Sequence, residues 1–156
     1  MVKLLSNLEP NEDITKLFET LDTMGYKVGV CSNSIRRTVL TTLSKIGLMK
    51  YCSVIMSNED VQNGKPHPEM YWKAMSVMQC LPKETIIVED SPPGLLAAKR
   101  SSANCIRVKD PSEVTCENLI NKIKEEKMMN KWKDDKLNVL IPMAGAGSRF
   151  EKVGYT

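Results

Sequence analysis

Several residue types and patterns are scarce in this 156-residue chain. Aromatic side chains make up 5% of it, and His67 is the only histidine. The five cysteines, Cys31, Cys52, Cys80, Cys105 and Cys116, are scattered and never form a C-x-x-C pair. A structural zinc site therefore has no ligand set to draw on. An odd, dispersed set of cysteines without a signal-peptide pattern is expected of free thiols in a reducing, cytoplasmic setting. Long apolar runs are also missing, so no segment reads as a membrane span. Nor does one sign of charge dominate: 22 basic against 19 acidic residues leave a net charge of +3. The densest basic run, KIKEEKMMNKWKDDK (122–136), is interrupted by acids throughout and reads as a solvated helix face. Nucleic acid and membrane surfaces are accordingly not expected partners.

What is present is ordinary for a globular chain, with 42% hydrophobic and 26% charged residues. Helical periodicity places Ile14, Leu17, Phe18, Leu21 and Met24 on one face, with Asn11 as a candidate cap and Gly25 as the stop. The short β-rich run KVGVC leads into Ser32-Asn33-Ser34. RRTVLTTLSKIG is a second helix closed by Gly47, and YCSVIMS a second strand. The polar loop NEDVQNGKPHP precedes a methionine-rich helix over Met70–Met78 that reads as core packing. TIIVED is the clearest strand. GLLAAKRS, NCIRV and SEVTCENLINKIKEEKMM follow as helix, strand and helix, the last with a serine or glutamate cap expected. Such alternation predicts an α/β fold built on a parallel sheet.

In open α/β sheets ligands bind beyond the carboxyl ends of the strands. Ser32 and Asn33 follow VGVC, Lys65 lies in the loop after SVIM, and Glu89-Asp90 follow TIIV. A hydroxyl and backbone amides suit phosphoryl oxygens, a lysine offsets their charge, and carboxylate oxygens hold Mg²⁺. Each group also has a plainer reading. Glu89-Asp90 could serve only a helix dipole, Ser32-Asn33-Ser34 could cap the next helix, and Lys65 could be a solvated loop lysine. Their joint appearance at successive strand ends favours the site. His67, in a proline-flanked turn, reads as structural, and Trp72 and Trp132 carry no site argument.

Taken in order, VCSNS, GKPHPEMY and VEDSPPGLLAAKRS resemble the haloacid dehalogenase (HAD) superfamily, in the branch of β-phosphoglucomutase and sugar-phosphate phosphatases. The likeness runs over roughly residues 8–126. It implies a three-layer Rossmann-like parallel sheet and an Mg²⁺ cofactor. It also implies a small phosphorylated metabolite, a sugar phosphate, as the partner, and leaves the oligomeric state open. Ser32 then matches the hydroxyl that bonds the phosphoryl group, with Asn33 beside it, and Lys65 the lysine that steadies nucleophile and phosphoryl charge. Asp90 matches the metal ligand, with Glu89 contacting the ion directly or through water.

The resemblance also marks a gap. In the family an Asp-x-Asp ends a first, central strand; its first aspartate forms an aspartyl-phosphate and its second serves as acid and base. No Asp-x-Asp occurs in this chain, and Asp13 and Asp22 stand in no such setting. The chain thus reads as a truncated HAD domain over 1–126, without most of its cap, followed by a charged linker over 127–137. From Asn138 onward, NVLIPMAGAGSRFEKVGY is similar to the opening of a sugar-phosphate nucleotidyltransferase. That likeness implies phosphate binding by Gly145, Gly147 and Arg149. The family's strand order, 5-4-1-2-3, leaves a vacancy at the sheet centre, which the apolar run LNVLIPM is expected to fill. The functional expectation is a phosphatase. The alternatives are a phosphomutase, a nucleotidyltransferase with an accessory HAD domain, and a non-catalytic HAD-like binding module.

Overall fold

The computed structural model describes residues 12–109, 113–129 and 138–142. Helix α1 (Glu12–Thr23) is followed by β1 (Lys27–Cys31), α2 (Arg36–Lys45), β2 (Cys52–Met56) and α3 (Glu69–Met78). Then come β3 (Thr85–Glu89), α4 (Pro92–Ser101), β4 (Asn104–Arg107), α5 (Cys116–Met129) and β5 (Asn138–Pro142). All strand pairs are parallel, in the order β2-β1-β5-β3-β4. The α/β reading of the sequence therefore holds.

Strand alternation sends successive side chains into two separate cores. Val28 and Val30 of β1, with Ile86 and Val88 of β3, join Leu17, Leu21, Leu43, Leu119 and Ile123 beneath α1, α2 and α5. Cys31 and Ile87 point the other way, into a core formed with Met70, Tyr71, Ala74, Met75, Ala97 and Ala98 of α3 and α4. Two helical layers thus sandwich the sheet. The methionine-rich helix is core packing, with Met70, Met75 and Met78 all buried.

The chain supplies its stops where expected. Gly25 and Gly47 close α1 and α2 at φ values of 84° and 74°, which glycine adopts without steric cost. Two cap expectations are corrected. Among the described residues helix α5 is capped by neither a serine nor a glutamate side chain, Ser112 lying outside them: Thr115 Oγ1 accepts from Asn118 N at 3.2 Å, and Asp13 of α1 accepts from Cys116 N at 3.0 Å. The residue ahead of α2 is Ile35, which gives no side-chain cap, so Ser32-Asn33-Ser34 stays free for other work. Asn11 lies outside the described residues.

The sheet's centre is its least ordinary feature. Strand β5 lies between β1 and β3, pairing Val28 with Val139 on one side and Ile86 with Val139 on the other. Val139 is fully buried. The expectation that LNVLIPM fills the central position is met by its described residues, 138–142. Its occupancy makes Val139 a keystone of the larger core. Val139→Ala is expected to cost about 2 kcal/mol, the worth of the buried carbons it removes. Met129→Ala, at an 80% exposed position, is expected to change stability by under about 0.5 kcal/mol. Urea unfolding of both variants checks this; equal effects would mean that β5 is not part of the cooperative fold.

Candidate functional site

The carboxyl ends of β1, β5 and β3 open at the point where the connections diverge, β1 passing outward to β2 and β3 to β4. That is the topological switch point at which open α/β sheets bind ligands. Ser32 leaves β1 here: its N–H donates to Met56 O at 2.9 Å, and its buried Oγ accepts from Ser34 N at 3.1 Å. The hydroxyl hydrogen remains available to a further acceptor. Asn33 is exposed, and its Oδ1 accepts from the backbone N–H of Lys65 at 3.2 Å, tying the loop after β2 to the end of β1.

Lys65 reaches under the site. Its Nζ donates to Cys31 O at 3.1 Å and to Glu89 Oε2 at 3.0 Å, with side-chain exposures of 1% for the lysine and 0% for the glutamate. These two acceptors take two of the ammonium's three N–H groups. Tyr71, on α3, grips both members of the pair. Its hydroxyl donates to Glu89 Oε2 at 2.6 Å, and the ammonium stands 5.1 Å from its ring centroid. The other carboxylate oxygen, Oε1, accepts from Asp90 N (3.1 Å), Ser91 N (3.3 Å) and Ser91 Oγ (3.2 Å).

Electrostatics follow from this packing. Burial works against the Glu89 charge, yet the Lys65 ammonium and the donors around it hold the carboxyl below its ordinary range. Tyr71 is pushed well above the usual phenol value by burial and then by the Glu89 charge, so its hydroxyl stays a donor. Asp90 is raised by its own burial and by the Glu89 charge beside it. Burial pushes the neighbouring Cys31 thiol up to about 12, which keeps it neutral.

A second clamp fixes the loop that carries Lys65. Asp60 pairs with Arg36 at the start of α2 and accepts from Ser57 N at 2.7 Å and Ser57 Oγ at 2.9 Å. Glu69 Oε2 accepts from Gln62 N at 2.7 Å, and Pro66 O accepts from Arg100 at 3.4 Å. His67 accepts from Glu69 N through Nδ1 at 3.1 Å, in keeping with a structural histidine.

Lys65 and Glu89, named from sequence, are thus in direct contact, and Asn33 bonds the lysine's backbone. Asp90 adjoins them through its N–H. Glu89 turns inward, with both oxygens taken by protein donors, and the half-buried Asp90 carboxyl lies against the Glu89 carboxylate. Gly145, Gly147 and Arg149 lie outside the described residues. Two contributors were not foreseen. Tyr71 closes the GKPHPEMY run without a role of its own in the sequence reading, although a buried tyrosine needs a partner for its hydroxyl. Gly94 is the other: a Cβ there would fall 2.0 Å from Glu89 Cδ.

Magnesium commonly keeps several waters and binds through one or two carboxylates plus substrate phosphate. Among the described residues no cluster of three or more His, Cys, Asp or Glu side chains occurs. The single carboxylate of Asp90, raised by its burial and then by the Glu89 charge, is the donor such an ion would meet. The donor set fits magnesium in that one-carboxylate manner.

The open parallel α/β sheet thus brings a lysine, a hydroxyl and paired carboxylates to its switch point. Residues 2–108 match the model of the haloacid dehalogenase-like hydrolases, and the chain belongs to that family. Its relatives are phosphatases. It is 34% identical over 94 residues to the pyrophosphatase PpaX of Halalkalibacterium halodurans, covering 60% of this chain and 44% of that one. It is 29% identical over 92 residues to the phosphorylated carbohydrates phosphatase of Thermotoga maritima, covering 59% and 43%. The chain therefore spans under half the length of these relatives. The fold is also that of β-phosphoglucomutase from Clostridium difficile, with a TM-score of 0.68 at 19% identity over 82% of this chain and 62% of the other. Among the described residues no helix is long and apolar enough to cross a membrane.

Lys65→Met leaves Glu89 charged, buried and without its cation, so a loss of about 3–5 kcal/mol is expected in urea unfolding. Adding Glu89→Gln should restore part of it; a single-variant loss under about 1 kcal/mol would show that the neutral donors suffice. Gly94→Ala, which in an ordinary exposed helix stabilises by up to about 1 kcal/mol, should here lower the melting temperature, because the methyl group collides with the Glu89 carboxylate. An unchanged or raised melting temperature would contradict the described packing.

Proposed function

We propose that this chain carries the phosphate- and cation-handling part of a magnesium-dependent phosphatase acting on a small phosphate monoester, a sugar phosphate in particular. The observation that carries the reading is the buried Lys65–Glu89 pair at the switch point, flanked by Ser32 and Asp90. A buried ion pair set in six hydrogen bonds and one cation–π contact is costly to assemble. Such an outlay is reasonable where a fixed positive charge must face an anionic ligand. The names of the phosphatase relatives favour phosphate esters or anhydrides as that ligand.

In this reading Ser32 Oγ and Asn33 hold phosphoryl oxygens, and Lys65 offsets their charge with its remaining N–H. Glu89 fixes the lysine and, through the Asp90 N–H, the start of the Asp90 turn. Asp90 would hold the magnesium ion, which when bound supplies Lewis-acid stabilisation of phosphoryl charge. Attack on phosphorus to give an aspartyl-phosphate needs an Asp-x-Asp that these 156 residues do not contain. The reading assigns that nucleophile to another part of a longer protein. Residues 138–156 then play two parts: β5 completes the sheet, and Gly145, Gly147 and Arg149 open a nucleotidyltransferase-like loop, making the longer protein bifunctional.

The test is orthophosphate binding to the purified chain, followed by ³¹P NMR with and without Mg²⁺. Binding should strengthen with Mg²⁺, and Asp90→Asn should abolish that strengthening while leaving the melting temperature within a few degrees. An aryl phosphate should not be turned over by the chain alone. Phosphate binding indifferent to both Mg²⁺ and Asp90→Asn would overturn the proposed site. Turnover abolished by Asp90→Asn would place a nucleophile within these residues after all.

A further inference from the structure

Helix α3 sends one polar tip into an otherwise apolar core. Tyr71 is fully buried, and among the members of the core beneath α3 and α4 it alone carries a hydroxyl. A phenylalanine would fill the same space beside Met70, Ala74 and Met75 with no polar atom to satisfy. The hydroxyl must therefore answer to something other than packing. It donates to Glu89 Oε2 at 2.6 Å, the length of a strong bond from an O–H to a carboxylate.

That oxygen is shared between two donors. Lys65 Nζ stands 3.0 Å from it and 3.1 Å from Cys31 O, both longer than a tight charge-assisted bond from an ammonium. Glu89 is kept from turning to favour the lysine, because Asp90 N, Ser91 N and Ser91 Oγ hold its Oε1. The phenol thus takes the larger share of Oε2 and the ammonium the smaller. The tyrosine ring adds a second constraint. Its centroid lies 5.1 Å from Nζ, so on the side toward α3 the ammonium meets an aromatic ring and not water.

We propose that Tyr71 is a positioning residue for the anionic ligand. By drawing on Glu89 Oε2 it keeps the Lys65 ammonium loosely held, so that the third N–H and most of the charge stay available to a phosphate. Without the hydroxyl, Oε2 has the ammonium as its only donor and pulls it in. The lysine is then neutralised by its own partner, and the ligand loses what the glutamate gains. The inference rests on the phosphate-binding reading for its ligand, and on the printed-in geometry of three side chains for its mechanism.

The experiment uses the whole chain with orthophosphate, followed by ³¹P NMR and by the side-chain ¹⁵N signal of Lys65. Tyr71→Phe keeps the ring and removes only the hydroxyl. Val54→Ala, in the same core but on β2 and apart from the pair, controls for lost packing. Y71F should weaken orthophosphate binding by about fivefold, and V54A should leave it within about twofold. The Lys65 ¹⁵Nζ resonance should be displaced in Y71F before phosphate is added, and unmoved in V54A. Equal affinity in Y71F and the unaltered chain would overturn the inference, as would equal weakening in Y71F and V54A. Failure of the unaltered chain to bind orthophosphate would count against the phosphatase reading instead. The Lys65 resonance then decides alone, and its staying in place in Y71F overturns the inference. Should Y71F fail to fold, the chain is made with 3-fluorotyrosine, whose more acidic phenol is a stronger donor at the same place. That chain should bind orthophosphate about twofold more tightly, and equal or weaker binding would overturn the inference.

Discussion

The buried contact between Lys65 and Glu89 is the constraint to which the rest of the site answers. Two opposite charges removed from water are costly unless every remaining lone pair and proton is met, and the surroundings are arranged to meet them. Tyr71 takes one carboxylate oxygen from α3, Ser91 and two backbone amides take the other, and Cys31 O receives a second ammonium hydrogen. Gly94 is bare because the carboxylate fills the space where a side chain would stand. The loop bearing Lys65 is then held by Asn33, Asp60, Glu69 and Arg100. A single ion pair thereby bears on residue types at Tyr71 of α3, Ser91 and Gly94 at the start of α4, and Lys65 in its loop.

Its position in the sheet gives the pair its meaning. β3 places Glu89 at the last step before the chain leaves the sheet, so the charge is buried while its neighbour Asp90 is not. One residue of strand alternation separates an anchor from a candidate ligand, and the opposite displacements of their acidities express that difference.

Much of this could be read from the chain. The parallel α/β arrangement follows from short apolar runs alternating with amphipathic helices. Ser32, Lys65, Glu89 and Asp90 stood out because they lie at or just after the carboxyl ends of apolar runs, where open α/β sheets bind ligands. The apolar, β-rich character of LNVLIPM was enough to suggest a strand for the sheet's centre. What escaped reading depends on distant meetings. Tyr71 and Glu89 lie 18 positions apart, and no local pattern says that a tyrosine on a methionine-rich face will find a carboxylate. The α5 cap behaves similarly: Asp13 supplies an acceptor from the opposite end of the described chain, where local sequence favoured a nearby serine or glutamate. The inward turn of Glu89 was not legible either, because adjacent acids look alike until one is seen to face an ammonium.

The central place of β5 also bears on how the sheet is made. Lys27 meets Asn138, a partner over a hundred positions away, whereas β1 with β2 and β3 with β4 are joined through nearby helices. Contacts of such long sequence separation form late, after the entropy of closing the chain has been met. During synthesis two half-sheets therefore emerge first, each with an open inner edge bearing Val28 and Val30 or Ile86 and Val88. Until residues 138–142 leave the ribosome those edges are unprotected against one another and against neighbouring chains. β5, the last strand among the described residues, thus bears on timing as well as on structure, because its arrival covers both inner edges at once.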